Sequence, residues 1–314
     1  MINKIVLKQK FWPLALAVFA GGLSLWPKSH AHGATADSEV YTKAVNEFHE
    51  IFQSKGDSKI CYKVTKNNPP DPSQADALEK SKPAPRNLVE SLQLAAYDAQ
   101  IKRVREGYQS ISIYTLYISG STKFTIERLC ADEWNKGIIK RSYFNKDNVV
   151  EITPSAKAVT IRARNSAMHP WLVAQFPALI KVIGINPDGL KSVANGEFRT
   201  FIISDKTLPL FFLYNVDANK SLLSSEMMDS LKRKLRVSKF QYSIPLKDTW
   251  PTSITSDIYS TDGSFLSRED WKLVSVENLP QGFDFSPVIE KSYRVSDKTG
   301  SAITSDEMNR FLTE

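Results

Sequence analysis

Residues 110–130 read SISIYTLYISGSTKFTIERLC, and this stretch decides the fold class. Along 110–118, β-branched and aromatic residues alternate with small polar ones, which is the period of a β-strand with one buried face. β-Branched and aromatic residues recur at 123–130, after a Gly120-Ser121 turn. The two segments therefore predict an antiparallel hairpin.

The segments on both sides of the hairpin also show helix or strand patterns. Helical spacing of apolar residues predicts a helix that Ser38 caps and Gly56 ends, and a second helix over 87–106. Strands are predicted at 59–64, 137–144, 148–153, 158–163, 197–204, 210–217, 221–228 and 235–244. Helices followed by a long run of antiparallel strands predict an α+β fold, in which one curved antiparallel sheet wraps on helices.

Three segments depart from this pattern. Proline density makes 66–86 a loop or linker inserted into the main domain, with a turn of helix at 74–79. The run PWLVAQFPALIKVI at 170–183 is apolar all round and predicts a short buried helix or a segment that covers a cavity. Beyond a main domain over 38–245, residues 246–314 are predicted to form a linker and a small β-rich C-terminal appendage.

The N-terminus has the three zones of a secretory signal peptide over residues 1–31. Lys4, Lys8 and Lys10 precede the apolar run FWPLALAVFAGGLSLW and the polar stretch PKSHA. The apolar run is shorter than the roughly 20 residues of a membrane-spanning helix, which favours a cleaved signal over a retained anchor. Cleavage after Ala31, or five residues later after Ala36, would release a periplasmic protein that does not span the membrane.

More than half of the net positive charge of the chain lies in that leader. The chain has 41 basic and 34 acidic residues, and cleavage after Ala31 would remove four lysines and no acid, leaving 37 against 34. Nucleic-acid-binding proteins carry a concentrated basic patch. The basic runs at 102–105 and 232–234 are short and typical of solvated surface, so no nucleic-acid partner is expected.

Two cysteines, Cys61 and Cys130, belong to the exported part. Because that compartment oxidises paired thiols, we predict a Cys61–Cys130 disulfide. It would close a loop of about seventy residues and contribute ~4 kcal/mol in the chain-entropy model. The alternative is two buried free thiols.

No catalytic or metal site is predicted. His32, His49 and His169 lie apart in the sequence, without the spacing of a zinc site, and the cysteines are not a C-x-x-C pair. There is no G-x-S-x-G and no glycine-rich phosphate loop. The sequence therefore predicts a binding protein without a cofactor rather than an enzyme.

Large apolar side chains on the strands and in 170–183 are candidates for the lining of a hydrophobic cavity. The alternative is that they form an ordinary core, since a cavity needs empty volume that a sequence does not reveal. The candidates are Tyr114, Phe124, Phe144, Trp171, Phe176, Leu179, Phe201, Phe212 and Tyr214.

Several segments resemble the MucB/RseB family of periplasmic regulators. The run YNVDANKSLLSSEMMD at 214–229 is similar to a hairpin of that family, RSYFNKDNVVEITP at 141–154 to its central strands, and FPAL at 176–179 to its covering segment. Trp271 with ENLPQGF at 277–283 resembles the opening of the family's C-terminal domain, through Leu279, Pro280, Gly282 and Phe283. Together the matches span about residues 108–285.

The resemblance implies a regulator of the envelope-stress (sigma-E) sigma factor. In that family a domain with the LolA-like half-barrel fold senses lipid, and with a smaller domain it binds the periplasmic part of an anti-sigma factor of the RseA/MucA type. The chain departs from the family through the 66–106 insertion and through a shortened C-terminal domain, because 31 residues follow Phe283. The expected function is therefore anti-sigma factor binding with lipid or acyl-chain sensing. The alternative is a periplasmic lipid or lipoprotein carrier of the LolA type.

Overall fold

The computed structural model describes residues 34–52, 57–82, 88–120, 123–131, 137–145, 147–163, 170–180, 190–204, 210–243 and 250–299. The expected signal peptide, residues 1–31, lies outside these ranges. The chain divides into two compact units, residues 1–43 and 44–314, and every strand belongs to the second.

The described residues form fourteen strands, four α-helices and two 3-10 turns, Pro154–Ala156 and Pro177–Leu179. The helices are α1 (Ala34–Phe52), α2 (Pro72–Lys80), α3 (Leu88–Glu106) and α4 (Pro170–Gln175). The strands are β1 (Ser58–Asn68), β2 (Tyr108–Ser119), β3 (Lys123–Cys130), β4 (Gly137–Phe144), β5 (Asn148–Thr153), β6 (Ala158–Ala163), β7 (Lys191–Asn195), β8 (Phe198–Ser204), β9 (Leu210–Val216), β10 (Leu222–Asp229), β11 (Lys234–Gln241), β12 (Ser253–Tyr259), β13 (Phe265–Asn278) and β14 (Arg294–Asp297).

All fourteen strands belong to one sheet in the order β14-β6-β5-β4-β3-β2-β1-β13-β12-β11-β10-β9-β8-β7. Two meanders, β1 to β6 and β7 to β13, are joined where β1 pairs with β13 in antiparallel fashion. Every pairing is antiparallel except that of β14 with β6. The predicted hairpin is β2–β3, and β4, β5 and β6 have the predicted bounds.

The predicted domain boundary at residue 245 is wrong. Strands β12 and β13 come from the segment expected to form an appendage, yet they lie in the middle of the sheet and join its two halves. The misreading has a physical cause, because β12 and β13 are rich in Ser, Thr and charged residues, and the apolar alternation by which strands are recognised is weak there.

The sheet curves around α4. We call the side of the sheet that carries Tyr62 and Tyr114 the inner face, and the opposite side the outer face. Helix α4 has six residues and is about 9 Å long. Its Trp171 packs on Tyr114 of β2, whereas its Val173 accepts a hydrogen bond from Tyr214 of β9. Six strand spacings separate β2 from β9, which is about 29 Å in a flat sheet. The strands must therefore bend toward α4 from both sides.

The predicted insertion forms a helical hairpin between β1 and β2. Within the segment predicted as a loop, Asp71 caps the nine-residue helix α2, accepting a hydrogen bond from the Gln74 amide at 2.9 Å. Helix α2 packs on α3 through Ala75, Ile101 and Val104, a small core separate from that of the inner face. The insertion is therefore an ordered element with its own apolar contacts.

Residues 279–297 form a C-terminal strap along the outer face. The Phe283 ring stacks on Tyr117 of β2, with centroids 4.5 Å apart and planes at 12°. Further along, Tyr293 packs against the cluster formed by Tyr143, Val150, Ile152 and Val159, and β14 then pairs with the edge strand β6. The strap thus covers apolar side chains that β4 to β6 turn away from the inner face.

Candidate ligand-binding face

The inner face brings together all nine side chains proposed as a cavity lining. Each is at most 5% exposed, and all belong to one hydrophobic cluster that extends across the sheet from β5 to β8 and includes α4. The six on strands were identified as large apolar residues of predicted strands, whereas Trp171, Phe176 and Leu179 were identified from the continuous apolar run at 170–183.

Trp271 of β13 is the centre of this aromatic surface. Its ring lies 4.7 Å from that of Tyr114, 5.8 Å from those of Tyr62 and Trp171, and 6.0 Å from that of Phe176, measured between centroids. The indole is 1% exposed. Three strands and the α4 segment therefore converge on one residue that was singled out only as part of a family motif.

A second aromatic group lies toward the β8–β9 side. Phe48 of α1 contacts Phe201 and Tyr214, with ring centroids 5.5 and 5.9 Å apart respectively. Phe52, one turn further along α1, packs on the same two rings. The last turns of α1 thus extend the apolar surface beyond α4.

Helix α4 is held on the inner face by hydrogen bonds to its C-terminal carbonyl groups. The Tyr214 hydroxyl donates to the Val173 carbonyl at 3.0 Å, and the Ser225 hydroxyl donates to the Ala174 carbonyl at 2.5 Å. The last carbonyls of a helix have no partner within the helix, and in a buried helix they require donors from elsewhere. Side chains of β9 and β10 supply those donors.

A buried ion pair lies beside this apolar surface. Arg236 of β11 and Glu269 of β13 are 2% and 4% exposed, and the guanidinium Nη2 donates to a Glu269 carboxylate oxygen. The Trp271 indole donates to the same oxygen at 3.1 Å. Burial of Glu269 opposes its ionisation, but the charges of Arg236 and Lys66 outweigh burial and hold its pKa below the ordinary value.

Gln175, the last residue of α4, connects the helix to the ion pair. With its amide oriented to satisfy its neighbours, Oε1 accepts from Arg236 Nη2 at 2.9 Å and from Ser256 Oγ at 3.1 Å. Ser256 also exchanges a hydrogen bond with Ser238 at 2.8 Å. The polar groups form a row across neighbouring strands, since Ser225, Ser238, Ser256, Glu269 and Lys66 occupy paired positions from β10 to β1.

This buried polar cluster was missed at the sequence level. Its members are residue types that are usually exposed, and two of them, Ser256 and Glu269, stand in the segment expected to be an appendage. A usable signal was the spacing Ser267-x-Glu269-x-Trp271, which places a carboxylate on the same face as a large aromatic residue.

The predicted disulfide is wrong, and both thiols are free. Cys61 of β1 pairs with Thr115 on the outer face, and Cys130 of β3 pairs with Ser112 on the inner face. With β2 between them, two strand spacings alone amount to about 9.6 Å, beyond the ~4.4–6.8 Å between the Cα atoms of a disulfide. Sequence position could not reveal this, because the face of each cysteine depends on strand register.

The family-motif residues Leu279, Pro280, Gly282 and Phe283 begin the C-terminal strap. A turn forms as the Phe283 amide donates to the Pro280 carbonyl at 3.0 Å, with Gly282 at φ +73°. These residues lie on the outer side of the sheet and are separate from the aromatic surface around α4.

Within the described ranges, no group of three or more His, Cys, Asp or Glu side chains is arranged to hold a metal ion. His32 and His169 lie outside those ranges. No helix among the described residues is both long enough and apolar enough to span a membrane.

Comparison with known proteins gives structural neighbours but no family. No protein-family model and no curated protein matches the sequence. A putative outer membrane lipoprotein-sorting protein domain from Vibrio parahaemolyticus aligns with TM-score 0.48 and 10% identity, over 77% of this chain and 93% of that one. A LolA superfamily protein from Nitrosomonas europaea gives 0.45 and 11% over 76% and 92%, and a DUF1329 family protein from Desulfovibrio piger gives 0.44 and 10% over 79% and 94%. TM-scores below 0.5 at such identities do not establish a shared function.

Proposed function

We propose that this protein is a periplasmic binding protein that carries the acyl chain of a lipid or lipoprotein on its inner face, without catalysis. The observation that supports the proposal is the contact between α4 and the curved sheet. A completely buried six-residue helix lies there against aromatic side chains of β1, β2, β9 and β13.

The chemistry of this contact suits an acyl chain. A ligand chain inserted between α4 and the sheet would replace apolar contacts by apolar contacts, and each methylene removed from water contributes ~0.8 kcal/mol. Gln175 and Arg236 lie at the end of α4 and would hydrogen-bond the polar head of such a ligand.

A reversible engineered disulfide between α4 and the sheet, which we call the α4 lock, tests the proposal. With Cys61 and Cys130 replaced by serine, Ala174→Cys and Ser225→Cys would join α4 to β10, where the Ser225 hydroxyl now contacts the Ala174 carbonyl. We expect the reduced protein to bind a fluorescent fatty acid and the oxidised protein to lose that binding.

The control for the lock is a second disulfide that leaves α4 free. Thr200 and Asn215 are directly paired on the outer face of β8 and β9, with their side chains 2.8 Å apart. Thr200→Cys/Asn215→Cys in the same background should bind the probe equally in both redox states. Equal binding by the oxidised α4 lock, or no binding by the reduced protein, would count against the proposal.

Envelope-stress regulation is a second candidate, and its support is the sequence resemblance at 214–229 and 271–283. A pull-down from bacterial membranes distinguishes the two functions. A regulator would retain a single-pass anti-sigma factor, whereas a carrier would retain lipid or lipoprotein and release it to acceptor membranes.

A further inference from the structure

Two lysines face each other on the outer face at the joint between the two meanders. Lys63 of β1 and Lys272 of β13 occupy directly paired positions, and both side chains are exposed. A third exposed lysine, Lys239 of β11, lies two strands away from Lys272. Like charges directly opposite each other destabilise a sheet, so the fold itself gains nothing from the Lys63–Lys272 pair.

These lysines lack the partners that neighbouring cations have. Lys59 pairs with Glu277 at 2.9 Å and Arg268 with Asp257 at 2.7 Å. Among the described residues, no carboxylate lies within 4.0 Å of Lys63, Lys239 or Lys272.

The carboxylate closest in sequence to Lys272 is that of Asp270, two residues earlier on the same strand. It accepts hydrogen bonds from the Thr255 hydroxyl at 3.1 Å and from the Asn67 amide at 3.4 Å. Neutral donors thus occupy the Asp270 oxygens, and this carboxylate forms no ion pair with Lys272 in the described structure.

The three lysines belong to one face of the sheet. Lys63 and Lys272 are directly paired, and Lys239 shares their face because its neighbour Phe240 belongs to the inner-face cluster. The exposed valines of β13 are not part of this surface, because Val276 pairs with Ile60 of the inner face and Val274 lies unpaired at the bulge between Leu273 and Ser275. We call Lys63, Lys239 and Lys272 the outer patch.

We propose that the outer patch docks the protein on an anionic phospholipid surface, with the lysines on the phosphate groups. The composition of the patch favours a lipid surface over a protein, because lysine is depleted from protein interfaces, which favour aromatic residues and arginine. Lysines near an anionic bilayer each contribute to attraction in a salt-dependent manner. The proposal is independent of acyl binding on the inner face, because the two surfaces lie on opposite sides of the sheet.

Vesicle flotation tests the docking. We expect the protein to float with vesicles that contain phosphatidylglycerol, less so as salt is raised, and not with vesicles of phosphatidylcholine alone. Lys63→Glu/Lys272→Glu should weaken the binding by ~10-fold or more, as expected from two reversed charges at an anionic bilayer surface.

The matched control is Lys80→Glu/Lys102→Glu, which makes the same change of net charge at two exposed lysines of the helical hairpin. It should bind vesicles nearly as the wild type does, and circular dichroism should show that all variants are folded. Equal loss of vesicle binding in both charge variants, or flotation that does not depend on phosphatidylglycerol, would overturn the proposal. So would capture of an acidic protein through the patch without any vesicle binding.

Discussion

Arg236 and Glu269 are the residues at which the inner face departs most from a simple apolar core. Each side chain is nearly inaccessible to water, and the charge of each partly neutralises that of the other. Removing water from two ions costs several kcal/mol per ion, which close pairing offsets only in part. The pair therefore does more to determine how Gln175 and Trp271 are held than to stabilise the fold.

Replacing one member of this pair should lower the free energy of unfolding much more than replacing both. Glu269→Gln leaves the Arg236 charge buried without its counter-ion, and we expect a loss of roughly 3–5 kcal/mol in the free energy of unfolding. The control, Arg236→Met/Glu269→Leu, should lie close to the wild type because no charge remains buried. Urea unfolding measures both, and a Glu269→Gln protein as stable as wild type would contradict this account.

The same pair predicts a pH dependence. The pKa of Glu269 is held below its ordinary value of 4.5 in the folded protein. Its ionised form therefore contributes stability that is present above pH 4.5 and is lost as the pH falls through the lower folded-state pKa. Urea unfolding at a series of acidic pH values should show a steeper loss for the wild type than for Arg236→Met/Glu269→Leu. Parallel curves would show that Glu269 is not the titrating group.

At the scale of elements, the helical hairpin depends on a tight exit into β2. Gly107 follows α3 directly and has φ +78°, and a Cβ there would lie 2.9 Å from the Asn68 carbonyl oxygen at the end of β1. Only glycine adopts this left-handed backbone readily and also leaves room for the Asn68 carbonyl oxygen. The backbone position thus sets where α3 ends and where the register of β2 on β1 begins.

Gly107→Ala should therefore destabilise the protein through two effects. The left-handed backbone costs about 1–2 kcal/mol for a residue with a Cβ, and the contact with the Asn68 carbonyl adds roughly 1–3 kcal/mol. Gly282→Ala is the control, because Gly282 has φ +73° with no atom within 4 Å of the added Cβ. Thermal unfolding of the two variants separates the effects, and equal losses would exclude the steric contribution.

Elements were predicted from sequence to different degrees, for identifiable reasons. The β4, β5 and β6 bounds were predicted correctly because apolar alternation and turn residues coincide there. Helix α2 was mostly read as a loop, since the prolines that suggested a break in fact start the helix at Pro72. The β7 strand was missed altogether, and its exposed Val193 shows why: an edge strand of five residues carries little alternation.

For the whole molecule, β13 is the strand on which the single sheet depends. It pairs with β1 along ten positions and with β12 along seven. Without it the two meanders would present two unpaired edges, β1 and β12, which promote aggregation. The molecule is therefore one sheet of two halves rather than a domain with an appendage.

A chain ending at residue 245, the boundary suggested by sequence, should consequently fail to fold. Far-UV circular dichroism and gel filtration should show an aggregated or unfolded product. A chain ending at Asn278 keeps β12 and β13, loses the strap, and should fold with reduced stability because Tyr293 no longer covers Val159. A folded monomer from the shorter chain would contradict the central role of β13.

The sequence by itself determined much of the local structure and nine of the apolar residues of the inner face, because side-chain period and turn chemistry act over a few residues. The structure buries those nine in one cluster, and the sequence left open whether they enclose a ligand. The central position of β13, the opposite faces of Cys61 and Cys130, and the burial of Arg236 with Glu269 were decided only by tertiary structure. Each depends on strand order and register, which arise from pairings between residues far apart in sequence, such as Ser58 of β1 and Asn278 of β13.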